Sequence, residues 1–271
     1  MGVAGKAENK GVARQRRAAF SAFFFGVRSL AVRIADAIVP PVCLSCQAPL
    51  SVHHALCPEC WCQIDFIRAP LCDRLGLPLP FDTGGTMISA AANAREPLYH
   101  RARAVASYDG VMRQLIHGFK YRDRHDIRRL FGSWMLQAGQ ELLDTADVIV
   151  PVPLNRLRLL KRRFNQAAIL GGEVGRRAGI KHAPMVLRRV RATRSQVGLT
   201  HVQRRQNVRG AFAVAADGRL IVEGRRVLLI DDVITAGATV EACAKVLLDA
   251  GAEAVDVLAL ALVTEPEGMT T

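Results

Sequence analysis

The sequence has 271 residues, 50% of them hydrophobic, and a formal net charge of +13. This length accommodates one α/β domain and a small additional module, and the hydrophobic content excludes a chain that lacks a core. No apolar run reaches the roughly 18 residues of a membrane span, so the sequence predicts no membrane-spanning helix.

The positive charge is unevenly distributed. Residues 101–209 contain 23 Lys/Arg and 7 Asp/Glu, a local charge of +16, whereas residues 210–271 contain 4 and 10. Much of the excess lies in three segments, residues 120–129, 156–163 and 188–209. Such clustering is typical of a surface that binds phosphates, either of a small ligand or of a nucleic-acid backbone. A solvated face of a basic protein remains the alternative.

The first 35 residues contain seven Lys/Arg and one acid, and residues 18–27 are nearly all apolar. A secretory signal is disfavoured because Arg28 and Arg33 follow at once and no small-residue cleavage site precedes them. A mitochondrial transit peptide has a similar composition. We predict a disordered basic start and a helix over residues 18–38, with contact to a membrane surface as a minor alternative.

Two cysteine pairs follow, in the pattern Cys43-x2-Cys46-x10-Cys57-x2-Cys60. Two CxxC knuckles at this separation supply four thiolates for a tetrahedral zinc ion. A thioredoxin-like redox site would need a single CxxC near a βαβ unit. Disulfides are the other alternative, but the seven cysteines are an odd number and favour a reducing compartment.

Alternating strand and helix patterns occupy the rest of the chain. In chain order they predict a strand over 104–108, helices within 111–117 and 127–143, a strand over 147–150, a helix over 165–177, and strands over 185–190 and 254–262. Residues 191–209 are polar, basic and weakly patterned. They predict a long loop, which in a compact domain is usually functional or mobile.

The most informative segment lies at residues 227–251. An apolar strand, Val227–Ile230, ends in Asp231 and Asp232, and a helical pattern over residues 240–250 ends at Gly251. Between them lies a loop of small and hydroxyl residues, Thr235, Ala236, Gly237, Ala238 and Thr239. Amides at a helix N-terminus bind anions, and Thr235 or Thr239 is the expected N-cap. Two acids beside such a loop suit the hydroxyls of a ribose 5-phosphate.

This segment resembles the phosphoribosyl-pyrophosphate (PRPP) motif of type I phosphoribosyltransferases, with one departure. The second threonine of that loop is Ala236 here, which removes a hydroxyl that could bond to phosphate. The resemblance implies that Asp231 and Asp232 are the catalytic acids and bind the ribose with Mg²⁺, while the loop Thr235–Thr239 holds the 5-phosphate. It also implies a pyrophosphate site formed by Val152, Pro153, Leu154, Arg162 and Arg163.

A zinc ribbon in front of a PRPP motif resembles the ComF family of competence proteins. Further resemblances lie in Tyr108-Asp-Gly110, Ile116-His-Gly-Phe-Lys-Tyr121, Val150-Pro-Val-Pro-Leu154, Arg162-Arg-Phe-Asn-Gln-Ala167, and Gln196 to Phe212. The family commonly has a second metal site, but here Cys72 is followed by Leu75 where its second cysteine would stand. We therefore predict one structural zinc ion, and a segment 71–97 looser than in two-metal relatives.

The resemblance implies the following organisation. A basic segment over 1–35 precedes a zinc ribbon over 36–98 and a phosphoribosyltransferase-like domain over 99–268, an α/β fold with an open, mainly parallel sheet flanked by helices. Residues 191–209 would form the lid over PRPP. A bacterial cytoplasmic location, single-stranded DNA and a DNA-uptake helicase are the implied setting and partners. Candidate nucleic-acid contacts are Lys120, Arg122, Arg162, Arg163, Arg194 and Arg205.

Three functions remain open at this point. The first is a ComF-like protein of DNA uptake that binds PRPP and single-stranded DNA. The second is an active nucleobase phosphoribosyltransferase of nucleotide salvage, which the intact acid pair favours and the lack of a recognisable base-binding element disfavours. The third is a regulatory protein that senses PRPP.

Overall fold

The structure is a computed structural model that describes residues 40–121, 125–155, 164–193 and 200–264. The chain divides into two compact units, residues 1–57 and 58–271. The helix predicted over residues 18–38 lies outside the described residues. Within the described ranges, no helix is both long enough and apolar enough to cross a membrane.

The described part of the first unit is a short hairpin around the first cysteine knuckle. Val42 and Pro49 form an antiparallel bridge. The amide of Cys43 donates to the carbonyl of Ala48 at 2.8 Å, and Gln47 adopts a positive φ of 65° inside the turn. These contacts shape the turn that carries Cys43 and Cys46.

The second unit is an α/β domain. Its strands are β1 (Ala102–Ser107), β2 (Val148–Pro151), β3 (Lys181–His182), β4 (Leu187–Arg189), β5 (Phe212–Val214), β6 (Arg226–Ile234) and β7 (Ala254–Leu262). Its helices are α1 (Pro58–Cys62), α2 (Ala90–Ala94), α3 (Gly110–Tyr121), α4 (Arg128–Ala138), α5 (Gln140–Leu143), α6 (Gln166–Ala178), α7 (His201–Val208), α8 (Arg219–Val222) and α9 (Ala238–Asp249).

Five of the strands form a wholly parallel sheet in the order β1-β7-β6-β2-β3, which confirms the predicted fold class. Strands β6 and β7 read as almost continuous apolar runs because helices cover both faces of a parallel sheet. The remaining strands, β4 and β5, form a separate antiparallel pair that we call the hood.

Parallel pairing of β2 with β6 decides where the predicted ligand segments meet. Pro151, the last residue of β2, lies opposite Ile230, and the amide of Val152 donates to the carbonyl of Ile230 at 2.9 Å. The carboxyl ends of parallel strands lie at one edge of the sheet, where open α/β folds bind ligands. The segment after β2 therefore lies beside Asp231.

Segment 71–97 is hydrogen-bonded to the sheet rather than separate from it. The guanidinium of Arg103, almost wholly buried, donates to the carbonyl of Asp73 at 2.8 Å and to its carboxylate at 2.9 Å. The amide of Ala102 donates to the carbonyl of Arg74 at 2.9 Å. Gly76 has a φ of +68°, and a Cβ there would lie 2.5 Å from the carbonyl oxygen of Ala102. The turn therefore fits against β1 only with glycine.

Several predicted elements are wrong in their bounds. The strand that bears the acids continues past the apolar run Val227–Ile230 to Ile234, so the loop begins at Thr235 as predicted, but α9 begins at Ala238, two residues before the predicted helix. The helical pattern predicted within 127–143 forms two helices that meet at Gly139, where a Cβ would lie 2.6 Å from a methyl group of Leu258. Close approach of β7 thus selects glycine at that position and interrupts the helix.

The loop predicted over 191–209 is also wrong in part, because α7 occupies residues 201–208. A capping box explains this helix: the hydroxyl of Thr200 accepts the amide of Gln203, and the Gln203 side chain accepts the amide of Thr200. The strand predicted over 185–190 shortens to β4, while β3, β5 and α8 have no counterpart in the prediction.

Candidate functional site

The predicted metal ligands lie together. The sulphur atoms of Cys43, Cys46, Cys57 and Cys60 are all within 4.8 Å of one another. A tetrahedral zinc ion with Zn–S bonds of about 2.3 Å requires S···S distances of about 3.8 Å. The 3.6 Å between the sulphurs of Cys46 and Cys57 is close to that value. The four residues therefore fit a structural zinc ion.

Backbone donors prepare this cluster for a metal. The amide of Cys57 lies 3.3 Å from the sulphur of Cys43 and donates to it. Burial alone would raise the pKa of the Cys43 thiol, but amide donors from Cys57, Ser45 and Cys46 lower it to about 6. A thiolate is the form that binds zinc, so the ribbon backbone favours the state that the metal requires.

Cys72 retains the backbone of a knuckle without a second cysteine. Its buried sulphur accepts the amides of Ser89 at 3.2 Å and of Leu75 at 3.5 Å. Burial opposes ionisation, yet the hydroxyl and amide of Ser89 outweigh it and lower the pKa of Cys72. Among the described residues, the four-cysteine cluster is the only group of three or more metal-ligating side chains.

The acid pair lies at the carboxyl edge of the sheet. The Oδ1 atom of Asp231 accepts the amide of Asp232 at 2.8 Å. Burial and the neighbouring charge of Asp232 raise the pKa of Asp231 to about 8, although Lys120 and Arg189 act in the opposite direction. A pKa this far above the ordinary value is typical of functional sites, where charge is held in a desolvated position.

Lys120 contacts the acid pair directly. Its ammonium lies 2.8 Å from Oδ2 of Asp232, and both side chains are largely buried. Burial lowers the pKa of Lys120, but Asp232 outweighs burial and the pKa is raised overall. Lys120 is the last but one residue of α3 and was predicted as a nucleic-acid contact. The structure places its charge in the acid-pair site.

The loop Thr235–Thr239, which was predicted to hold a phosphate and is called the phosphate loop for that reason, follows β6. Gly237 adopts a left-handed conformation with a φ of +71° and is the N-cap of α9, without a side-chain cap. The prediction of Thr235 or Thr239 as the cap is therefore wrong, because the turn needs a positive φ that threonine disfavours. Amides in the first turn of a helix have no intrahelical acceptor, so they face the loop and can bind an anion.

One side chain, Asn165, links the segment predicted to bind pyrophosphate to the start of α6. The amide nitrogen of Asn165 donates to the carbonyl of Val152 at 3.0 Å, and its Oδ1 caps α6 through the amide of Ala167. Pro153 and Leu154 follow at the same edge and are half-buried. Four candidates lie outside the described residues, namely Arg122, Arg162, Arg163 and Arg194. Arg205 lies on α7 and is half-buried.

Two residues near the acid pair were missed by sequence reasoning. Arg189 of the hood stacks over the ring of Phe212 at 5.1 Å from its centroid, and its charge lowers the pKa of Asp231. Cys243 of α9 is fully buried, and burial together with Asp231 raises its pKa. The sequence around Arg189 and Cys243 gives no sign of a link to the acid pair, because the hood and α9 come close to it only through the packing of the folded domain.

Two family models match the chain, one over the cysteine cluster and one over the acid pair. The double zinc ribbon domain family matches residues 34–92, and the phosphoribosyl transferase domain family matches residues 162–269. Among solved structures, the allosteric regulatory enzyme of purine biosynthesis is 26% identical with a TM-score of 0.37, and the match covers 53% of this chain and 30% of that one. Fold and cysteine cluster together define a phosphoribosyltransferase-like protein with a zinc ribbon.

Two curated relatives extend over most of the chain. Competence protein F of Haemophilus influenzae is 30% identical over 81% of this chain and 96% of its own length. The DNA utilization protein YhgH of Escherichia coli K12 is 32% identical over 82% of this chain and 97% of its own length. The chain belongs to the ComF family of competence and DNA-utilization proteins, as its motifs predicted.

Proposed function

We propose that this protein binds PRPP, or a closely related ribose phosphate, at the carboxyl edge of β6. The observation that carries this proposal is the continuity of the strand, the acid pair and the phosphate loop. Asp231 and Asp232 accept hydrogen bonds from the ribose hydroxyls, and the amides at the start of α9 donate hydrogen bonds to the 5-phosphate. The segment Val152–Leu154 lies beside them and receives the pyrophosphate.

Mg²⁺ fits this site because two carboxylates supply the oxygen ligands that it prefers. Asp231 and Asp232 would hold the ion directly or through its water molecules, and the ion would offset the charge of the pyrophosphate. Lys120 and Arg189 add fixed positive charge near the acid pair. This arrangement positions a pentose phosphate and stabilises its leaving group, which is most of what pyrophosphate displacement requires.

Calorimetric titration tests the proposal. PRPP with Mg²⁺ should bind more tightly than ribose 5-phosphate or pyrophosphate alone, because only PRPP fills both the loop and the segment after β2. Equal affinity for pyrophosphate and PRPP would show that the acid pair and the loop do not take part.

An active phosphoribosyltransferase of nucleotide salvage is the alternative, and the complete acid pair favours it. It differs from a binding protein in one measurable product. Pyrophosphate release from PRPP in the presence of a panel of nucleobases would establish turnover, while tight binding without release would establish a binding protein or a PRPP sensor.

We also propose that the protein binds single-stranded DNA as part of DNA uptake or utilisation, in the bacterial cytoplasm and with a DNA-uptake helicase as its partner. The charge of +16 over residues 101–209 and the names of the curated relatives support this role. The ammonium of Lys120 is paired with the carboxylate of Asp232. Exposed arginines such as Arg188 and Arg209 are therefore better placed than Lys120 to contact the DNA backbone.

Fluorescence anisotropy over a salt series tests DNA binding. Binding by phosphate contacts weakens with salt, with a slope of about −0.7 per phosphate neutralised. Replacement of Arg188 and Arg209 by Gln should make that slope shallower by about 1.4. The matched control replaces Arg219 and Arg225, which are exposed but lie outside the basic region. Equal effects of the two double variants would rule out Arg188 and Arg209 as contacts with the DNA backbone.

A further inference from the structure

Three side chains outside the PRPP motif lie close to the phosphate loop or to the first turn of α9. We call Arg95, Tyr99 and Glu241 the loop-backing cluster. The hydroxyl of Tyr99, a buried residue, is 4.0 Å from the position that a Cβ on Gly237 would occupy. Glu241 lies in the first turn of α9, and its carboxylate forms an ion pair with the guanidinium of Arg95.

The charges of Glu241 and Arg95 both act on the hydroxyl group of Tyr99. Burial and then the charge of Glu241 raise the pKa of Tyr99, while Arg95 lowers it. The amide of Glu241 donates to the carbonyl of Gly237 at 2.9 Å, so Glu241 lies one helical turn from the glycine beside the Tyr99 hydroxyl. The carboxylate of Glu241 is thus near the part of the loop that would hold a phosphate.

A carboxylate at this place has two opposite effects. A negative charge in the first turn stabilises a helix, because it faces the positive end of the helix dipole. A phosphate monoester carries about −1.5 to −2 charges at neutral pH, so the same carboxylate repels a phosphate bound at that helix end. The side chain of Glu241 is only 14% exposed, and solvent ions screen such a charge weakly.

We propose that Arg95 is an electrostatic positioning residue for the phosphate loop, which neutralises Glu241 so that the N-terminus of α9 can accept a phosphate. This inference rests on the proposed binding of a ribose phosphate. Arg95 does not touch the ligand and acts through Glu241. Without it, the loop would keep its shape but would present a net negative charge to an anion.

The segment that carries Arg95 is the degenerate second ribbon. Cys72 accepts the amide of Ser89, and the hydroxyl of Ser89 in turn accepts the amide of Ala92 as the N-cap of α2. Arg95 is the residue that ends α2. Hydrogen bonds to the Cys72 sulphur therefore hold the short helix from which Arg95 reaches α9, and the segment gains a role that needs no second metal ion.

A double-variant cycle tests the proposal by calorimetric titration with PRPP and Mg²⁺. Arg95→Met should weaken binding about fivefold to tenfold, the size of a charge effect at a helix terminus. Glu241→Gln should tighten binding severalfold, because Arg95 then faces the phosphate unopposed. The combined variant Arg95→Met/Glu241→Gln should return to within about threefold of the wild-type affinity.

A purely structural role for Arg95 predicts a different pattern. If Arg95 only docks α2 on α9, the combined variant loses the same contact and stays as weak as Arg95→Met, and this result overturns the proposal. Unchanged binding by Arg95→Met, or weaker binding by Glu241→Gln, also overturns it. The Glu241→Gln measurement decides the matter even if Arg95→Met does not fold.

The matched control is Lys245→Met, which removes one positive charge from an exposed ion pair with Asp249 on the same helix. It should leave the affinity for PRPP unchanged. Failure of the wild-type protein to bind PRPP would defeat the proposed function and the inference together. If the wild type binds PRPP but the combined variant does not recover the affinity lost in Arg95→Met, only the inference about Arg95 is defeated.

Discussion

The ammonium of Lys120 and the carboxylate of Asp232 are 2.8 Å apart, with side chains 15% and 16% exposed. This contact joins the end of α3 to the edge of the sheet where the acid pair lies. It compensates the negative charge of Asp232, which lies beside Asp231, inside the protein's own fold. From the sequence, Lys120 was predicted to contact nucleic acid and Asp232 to bind ribose. The structure brings the two side chains into direct contact.

Replacement of Lys120 by Met should destabilise the fold. The change leaves Asp231 and Asp232 largely buried and without their closest positive charge, which costs about 2 kcal/mol of unfolding free energy. Urea denaturation near neutral pH measures the loss. Lys245→Met removes an exposed ion pair with Asp249 and should cost less than about 0.5 kcal/mol. Equal losses in the two variants would contradict a buried role for Lys120.

The unfolding free energy should fall with rising pH because of Asp231. Its pKa is raised from 3.8 to about 8 in the folded protein. Between these values the folded state binds a proton that the unfolded state has released. The stabilisation that Asp231 contributes to the folded state is therefore fully present below about pH 4 and is lost as the pH rises through about 8. Each pH unit inside this window should cost up to about 1.4 kcal/mol.

Comparison with Asp231→Asn isolates this effect. Several other groups interact electrostatically with Asp231, namely Asp232, Lys120, Arg189 and Cys243. The difference in unfolding free energy between wild type and variant is therefore more informative than the pH dependence of either protein alone. The difference in unfolding free energy should change steadily between pH 5 and pH 8. A difference that does not vary with pH would contradict the raised pKa.

The ribbon should hold one zinc ion per chain. Metal analysis of protein purified without chelator should find a single zinc, and Cys57→Ser should release it, because one of four thiolates is lost and a small module of this kind takes its folding energy from the metal. Cys72→Ser is the control and should leave the metal content unchanged. Two zinc ions per chain, or zinc loss in Cys72→Ser, would contradict the assignment.

Restoring the loop hydroxyl with Ala236→Thr should tighten PRPP binding by about tenfold, the lower end of what a hydrogen bond to a charged group contributes. Ala236 is half-buried in the phosphate loop. The control is Ala178→Thr, at the exposed end of α6, which should bind as the wild type does. An unchanged affinity in Ala236→Thr would show that phosphate does not reach this part of the loop.

Strongly apolar strands were the most predictable part of the fold. The strand over 254–262 was predicted with its observed bounds, since a buried parallel strand is a continuous apolar run between polar ends. The acids were placed at the correct edge of the sheet by the same pattern. The cysteine cluster was predictable because ligand spacing alone defines a zinc ribbon.

Features that depend on distant contacts were not predictable. Nothing near Gly237 distinguishes it from Thr235 or Thr239 as the N-cap, because the positive φ follows from how β6 and α9 are joined. The contact of Lys120 with Asp232 links residues 112 positions apart. By contrast, α7 was missed although its capping box, Thr200 and Gln203, was a local signal in the sequence.

The most direct test of the account is calorimetric titration of the wild-type protein and Asp232→Asn with PRPP and Mg²⁺. Asp249→Asn serves as the control, because it removes an exposed carboxylate from α9. The wild type and the control should bind alike, and Asp232→Asn should bind about tenfold to a hundredfold more weakly through the loss of one charged hydrogen bond. Wild-type protein that binds no PRPP at millimolar concentration, or Asp232→Asn that binds as tightly as the wild type, would contradict the proposed site.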